Sequence, residues 1–219
     1  WWDMISKDLK KRIYTSAILL ILIFISLKIN LILVFSLIVL GVMSIIEFLS
    51  MIKKIIKNKF YLFISSFVFS IYVFIFCILF FILLNFIPLK IILISLLLGC
   101  AASDIGGFVF GKIFKGPKLT SISPNKTISG SLGSIVFTIL TLAGFVFIFT
   151  KNFSYIILFV AITTSIACQL GDLFFSLLKR KAKIKDTGNF FPGHGGVLDR
   201  LDSIFLGLPV GFTSIFLFY

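Results

Sequence analysis

The sequence predicts an all-α fold: a polytopic integral membrane bundle of about seven helices with a cytoplasmic N-terminus. Hydrophobic residues make up 59% of the 219 residues and charged residues only 13%, too few to cover a soluble domain of this size. Apolar runs long enough to cross a hydrocarbon layer of ~30 Å recur along the whole chain. The length suits one bundle, so we predict a single transmembrane domain over 1–219.

The apolar runs divide the chain into predicted spans at about 13–27, 31–50, 60–86, 89–111, 130–150, 154–178 and 201–219. The first follows a basic segment, as in a signal peptide, but no small-residue cleavage site comes after it, so we expect a retained span. Pro88 separates the third and fourth spans, because proline lacks the amide hydrogen that continues a helix. The three cysteines lie within apolar runs and show neither a disulfide framework nor a zinc spacing.

Lysine and arginine are distributed unevenly between the predicted loops. The N-terminus, the second loop and the fourth loop hold four each, and the sixth loop with Arg200 holds six, whereas the opposite side holds only Lys28, Lys90 and Lys151. Cytoplasmic loops carry the excess of these residues, which predicts a cytoplasmic N-terminus. Since topology accounts for most of the net charge of +13, we expect no nucleic-acid partner, and anionic lipids or phosphorylated substrates instead.

Five carboxylates from four spans are predicted to lie at one level of the bundle. Glu47, Asp104 and Asp172 each lie roughly two turns before a cytoplasmic cation, ~10 Å inside the helix end, and Asp199 and Asp202 flank the start of the last span. Snorkelling to the interface accounts for Glu47, but aspartate is too short to snorkel far. Charged groups inside a membrane usually face a polar cavity and pair with cations or metal, so we predict a shared functional cavity.

The fourth loop combines glycines with a polar turn. Gly106–Lys112 fits the pattern G-x-x-x-x-G-K, but Ile113 stands where a phosphate-binding P-loop needs Ser or Thr, and we reject that interpretation in favour of close helix packing. The turn Ser123–Thr127 brings hydroxyls, backbone amides and the Lys126 ammonium together before a helix start. This combination suits a phosphate group, and a plain helix N-cap is the alternative.

The block from Gln169 to Asp202 concentrates the remaining polar residues. Asp172, Ser176 and Lys179–Arg180 have the spacing i, i+4, i+7 and i+8, which predicts one helix face. Four glycines and a proline surround His194; they leave room for backbone close to a ligand, and His194 is either a structural partner or a phosphate contact. Asp172 and Asp199 supply hard oxygen ligands near cations, which favours Mg²⁺ with phosphates.

These two regions resemble the phosphatidate cytidylyltransferases, also called CDP-diacylglycerol synthases. The C-terminal signature of that family is matched here by Ser176, Lys179, Arg180, Lys185, Asp186, Pro192–Gly196, Asp199, Arg200 and Asp202. A second motif region of the family is similar to Asp104–Gly107 and Ser123–Thr127. Ser129 departs from the pattern, because the family often has Glu or Gln at that position.

The resemblance implies an enzyme that transfers a cytidylyl group from CTP to phosphatidate, giving CDP-diacylglycerol and pyrophosphate in phospholipid biosynthesis. It implies dependence on Mg²⁺, with Asp172 and Asp199 as metal ligands and room for a second cation. Catalytic roles are assigned to Asp172, Asp199, Lys126 and His194, and substrate contacts to Ser123, Thr127, Ser176, Lys179, Arg180, Lys185, Asp186, Arg200, Asp104 and Asp202. The expected setting is a bacterial-type inner membrane with the site on the cytoplasmic side, and a homodimer is compatible with it.

Two other functions are considered. The first is a CTP-dependent kinase acting on a polyprenol or phytol, which would release CDP rather than pyrophosphate. The second is a transporter or channel, whose intramembrane acids would line an ion path. The outer half of the predicted bundle carries only three basic residues and short loops, which argues against a path through the membrane.

Overall fold

Six α-helices account for most of the described part of the chain. The computed structural model describes residues 14–15, 18, 21–22, 25, 28–120, 123, 126–152, 154–193 and 195–218. Within these ranges the helices are α1 (Asn30–Ile55), α2 (Lys59–Asn85), α3 (Ile87–Phe114), α4 (Ile128–Thr150), α5 (Tyr155–Lys181) and α6 (Leu198–Phe216). The only extended pairings found there are two isolated bridges, Lys118 with Thr127 and Phe191 with Gly195. The predicted all-α fold is therefore confirmed.

Helices α1 to α5 are each long and apolar enough to cross a membrane, so the chain is a polytopic helical membrane protein. They correspond to the second to sixth predicted spans. The predicted span 13–27 lies largely outside the described residues. The last predicted span forms α6, which has 19 residues, begins at Leu198 and carries three charged residues in its first turns. Because α6 is not among the five apolar helices, the predicted count of seven spans is not confirmed.

Proline and glycine mark the ends of α3. The break between α2 and α3 falls at Phe86, and Pro88 occupies the first turn of α3, where its missing N–H needs no partner. After Phe114 the backbone turns through Lys115 and Gly116, both with positive φ, of 49° and 122°. The predicted separation at Pro88 is thus confirmed.

The described residues fall into two compact units. The first unit contains the described residues up to Ile82 together with Leu178–Arg200, and the second contains Leu83–Leu177 and the residues from Leu201 onward. In the first unit α1 packs against α2, with the rings of Phe48 and Phe69 stacked at 3.8 Å between centroids. In the second unit, a cluster around Leu96, Leu142 and Val160 joins α3, α4 and α5.

Glycines allow α3 and α4 to approach closely in the second unit. A Cβ atom added to Gly106 would lie 2.5 Å from the carbonyl oxygen of Gly133, and one added to Gly133 would lie 2.5 Å from Cγ of Phe110. A Cβ atom added to Gly130 would likewise lie 2.7 Å from the carbonyl oxygen of Gly107. Small residues at a helix–helix contact let two backbones pack directly. The interpretation of the G-x-x-x-x-G-K pattern as a packing motif agrees with this geometry.

We expect Gly133→Ala to destabilise the second unit by about 1–3 kcal/mol, because the added methyl group overpacks the contact with Phe110. Thermal unfolding in detergent would measure the loss. Gly144→Ala is the matched control on the same helix, since the added Cβ would meet none of the described residues packed around that helix within 4 Å. Equal melting temperatures for the two variants would contradict the prediction.

Candidate active site

The second unit pairs a carboxylate of α5 with a lysine that precedes α4. Oδ2 of Asp172 forms an ion pair with Nζ of Lys126, and Oδ1 accepts a hydrogen bond from Oγ of Ser176 at 3.2 Å. Asp172 and Ser176 therefore share a helix face, as their spacing predicted. The structure thus brings together three residues from both motif regions.

A second carboxylate lies near this pair. Oδ2 of Asp104, on α3, accepts a hydrogen bond from Oγ of Ser203 at 2.8 Å. Asp104 is close enough to Asp172 and Lys126 for their charges to act on it. The predicted convergence of Asp104 and Asp172 is thus observed within the second unit.

Helix α6 lies close to α5 at Asp202. Its Oδ1 accepts the N–H of Ser203 at 3.0 Å, and its backbone carbonyl lies so close to Gly171 that a Cβ there would collide. Gly171 directly precedes Asp172. A side chain at this glycine would push α6 away from the carboxylate, a role that the sequence analysis did not assign.

The turn before α4 is held by its own hydrogen bonds. Oγ1 of Thr127 accepts the N–H of Gly130 at 3.1 Å and caps the helix, so the N-cap alternative is observed for this residue. The N–H of Lys126 donates to the carbonyl of Ser123 at 3.0 Å. Ser129, which departs from the family pattern, donates to the carbonyl of Lys115 and stabilises the same turn. The substrate contacts of Ser123 and Thr127 stay predictions.

The first unit contains a second lysine–carboxylate pair. Nζ of Lys179 lies 2.8 Å from Oδ1 of Asp199. Oδ2 of Asp199 accepts the backbone N–H groups of Thr187 at 2.8 Å and Gly196 at 3.0 Å, and the Asp199 side chain is only 7% exposed. These contacts hold the carboxylate in a single orientation.

The surroundings of Asp199 favour its ionised form. Burial by itself would raise the pKa of this carboxyl, but the hydrogen bonds from Lys179, Thr187 and Gly196 outweigh it and hold the pKa below the usual value. A carboxyl whose pKa falls on folding stabilises the protein above its unfolded pKa, and the stabilisation is lost as the pH falls through the folded value.

We expect the wild type to be more stable against unfolding than Asp199→Asn at neutral pH. This difference in stability should shrink as the pH falls below about 4, near the ordinary aspartate pKa. The reason is that acid protonates the Asp199 carboxylate of the wild type and removes its negative charge. The variant lacks that charge at every pH. Thermal unfolding in detergent between neutral and acidic pH would measure the gap. A gap that widened with acid would contradict the lowered pKa.

Glu47 lies in a different environment from the one predicted. Its side chain is buried, with 5% exposure, and its carboxylate accepts hydrogen bonds from Oγ1 of Thr187 at 2.8 Å and from the N–H groups of Val197 at 3.0 Å and Leu198 at 2.9 Å. The interpretation of Glu47 as a snorkelling residue is therefore wrong. The side chain turns inward, where three donors compensate its burial.

The same contacts correct the interpretation of two loop glycines. A Cβ atom at Gly188 would lie 2.5 Å from Oε1 of Glu47, and one at Gly196 would collide with Oε2. These glycines leave room for a carboxylate of the protein itself rather than for a ligand. Gly193 and Gly195 have φ values of 78° and 86°, which favour glycine for conformational reasons.

The sequence is similar to those of known proteins. The profile of the cytidylyltransferase family matches residues 6–218, nearly the whole chain. The chain belongs to the cytidylyltransferase family. Three relatives named phosphatidate cytidylyltransferase are 43% identical over 123 residues in Helicobacter pylori strain 26695, 40% over 119 in Bacillus subtilis and 42% over 125 in Mycobacterium leprae. These alignments cover 52%, 53% and 55% of this chain, but only 43%, 44% and 39% of the relatives.

Several residues for which substrate contacts are predicted lie on the surface of this cytidylyltransferase family member. Arg180, Lys185, Asp186 and Arg200 are exposed. His194 lies outside the described residues. Their contacts with substrate stay predictions.

Oxygen ligands suited to Mg²⁺ occur in both units of this family member. Among the described residues, no three His, Cys, Asp or Glu side chains form a metal-binding group. Mg²⁺ is commonly held by one or two carboxylates with water and substrate phosphates, so a larger cage is not required. Asp172 in the second unit and Asp199 in the first offer such oxygens beside lysine ammonium groups, and Asp104 is a further carboxylate of the second unit. The donor set therefore fits the cation.

Proposed function

We propose that this chain transfers a cytidylyl group from CTP to phosphatidate, forming CDP-diacylglycerol and pyrophosphate. The observation that carries the proposal is that both motif regions pair a lysine with a carboxylate, Lys126 with Asp172 and Lys179 with Asp199. The names of the relatives support the choice of lipid substrate. The chain spans less than half the length of these relatives, so the activity needs a direct test.

The proposed reaction explains why cations surround the carboxylates. A phosphomonoester oxygen of phosphatidate attacks the α-phosphorus of CTP, a new P–O–P linkage forms, and the bond to the β-phosphate breaks to release pyrophosphate. The attacking oxygen is already anionic near neutral pH, so little general-base help is needed. The barrier comes mainly from bringing one anion onto another, and positioned cations lower it.

We assign Mg²⁺ binding to Asp172 and Asp199. Bound Mg²⁺ would neutralise phosphate charge and orient the reacting oxygens. Lys126 and Lys179 would bind phosphate oxygens, and Ser176 would orient the Asp172 carboxylate through its hydrogen bond. Arg180, Lys185 and Arg200, which are exposed, would attract CTP electrostatically.

We place the proposed site on the cytoplasmic side of a bacterial-type inner membrane. All but three of the 21 basic residues belong to the N-terminus and the even-numbered predicted loops, which supports this orientation. A site at that depth can receive CTP from water and the phosphatidate headgroup from the bilayer.

The test is turnover by the purified full chain with CTP, phosphatidate and Mg²⁺, following both pyrophosphate and the lipid product. We expect equal amounts of pyrophosphate and CDP-diacylglycerol. Release of CDP with a polyprenol acceptor would identify a kinase instead. Ion flux into vesicles with no CTP turnover would refute the enzyme assignment.

A further inference from the structure

We infer that Glu47 is a positioning residue that holds Thr187 and the start of α6 and thereby fixes the Asp199 carboxylate. Its importance for catalysis rests on the proposed function, in which Asp199 binds Mg²⁺. The positioning itself is a property of the protein without substrate or metal. All the residues involved belong to the first unit.

Glu47 caps α6 from a different helix. Because α6 begins at Leu198, the N–H groups of Val197 and Leu198 have no carbonyl partner within it. Oε1 and Oε2 of Glu47 accept these two N–H groups, across more than 140 positions of sequence. A negative charge at a helix N-terminus is stabilising, and the buried charge needs these donors in turn.

Thr187 links Glu47 to Asp199. Its hydroxyl lies 2.8 Å from Oε2 of Glu47 and 3.1 Å from Oδ2 of Asp199, and its backbone N–H donates to the same Asp199 oxygen at 2.8 Å. A hydroxyl has one hydrogen, and the shorter contact is with Glu47. The orientation of Asp199 therefore depends on a residue that Glu47 holds in place.

Packing and burial indicate that Glu47 acts through these neighbours rather than on substrate. Gly188 and Gly196 press against its carboxylate so closely that neither could carry a Cβ without moving it. Both oxygens already accept hydrogen bonds, and the side chain is 5% exposed. Little of the carboxylate is therefore left for contact with substrate.

The decisive variant is Glu47→Gln, which keeps the size of the side chain but turns an amide NH₂ toward at least one backbone N–H, a group that can only donate. The matched control is Ser44→Ala on the same helix, because the buried Ser44 hydroxyl donates to the Leu40 carbonyl one turn away, within its own helix. We expect faster hydrogen–deuterium exchange over 187–199 in metal-free Glu47→Gln, and wild-type exchange in the control.

The kinetic arm separates positioning from loss of folded protein. We expect Glu47→Gln to raise the half-saturating Mg²⁺ concentration by about 10-fold to 100-fold, the usual effect of removing a group that orients a metal ligand. Partial unfolding would instead lower the rate by the same factor at every Mg²⁺ concentration, and that result would overturn the inference.

If Glu47→Gln does not fold, Thr187→Val and Thr187→Ser test the same inference. Valine keeps the shape but removes the linking hydroxyl, so a smaller shift in Mg²⁺ dependence is expected, and serine should restore the wild-type value. Equal Mg²⁺ dependence for all three proteins would overturn the inference.

The two arms also distinguish failure of the inference from failure of the proposed function. Faster exchange in Glu47→Gln with an inactive wild type would uphold the positioning and refute cytidylyl transfer. Unchanged exchange would overturn the positioning whatever the activity.

Discussion

Replacing Asp199 with Asn is expected to lower the rate of cytidylyl transfer by about 10³-fold, because several kcal/mol of charge stabilisation depend on the carboxylate. In the structure Oδ1 faces the Lys179 ammonium and Oδ2 faces the N–H groups of Thr187 and Gly196. The asparagine side chain has one oxygen in place of the two carboxylate oxygens. Its NH₂ group must therefore face either the Lys179 ammonium or the two backbone N–H groups, and these are all donors. The neutral side chain is also a poorer Mg²⁺ ligand.

The measurement is the initial rate of pyrophosphate release across a range of Mg²⁺ concentrations. Thr213→Val on α6 is a suitable control, since the Thr213 hydroxyl bonds to the Pro209 carbonyl of its own helix. The control should keep the wild-type rate. Near-wild-type activity of Asp199→Asn would remove Asp199 from the proposed metal site.

The spanning helices could be predicted from the sequence because apolar run length is a local property. The break at Pro88 was equally predictable, since it follows from the covalent structure of one residue. The last predicted span was harder, because α6 begins with Asp199 and Arg200 and is shorter than the other helices. Length and charge there give conflicting signals.

The site was predictable only where its contacts are local or fall in the family signature. Asp172 and Ser176 meet because residues four apart share a helix face. The partners of Glu47 lie 140 to 151 positions away, and a lone carboxylate near a helix end has the same local pattern whether it snorkels or turns inward. The glycines at 188 and 196 were a usable signal, but the sequence could not show that a side chain rather than a ligand fills their space.

Replacing Lys126 with Met is expected to lower the rate by about 10²-fold to 10³-fold, the typical effect of removing one group that stabilises developing charge. Methionine keeps much of the aliphatic length but has no charge. The Lys126 ammonium is ion-paired with Asp172, and its charge also acts on Asp104. The variant would leave these two acids to repel each other and the incoming phosphates.

Lys118→Met is the matched control, because Lys118 is an exposed residue of the same loop and pairs with Thr127 through its backbone, which the substitution keeps. Pyrophosphate release should be unchanged in this control. If both variants lost activity equally, the effect would come from general loop charge rather than from the ion pair.

The double variant Lys126→Met with Asp172→Asn tests whether these two residues act together. When two residues act as one unit, the double variant loses less activity than the product of the two single losses. Fully multiplicative losses of rate would therefore show that Lys126 and Asp172 act independently.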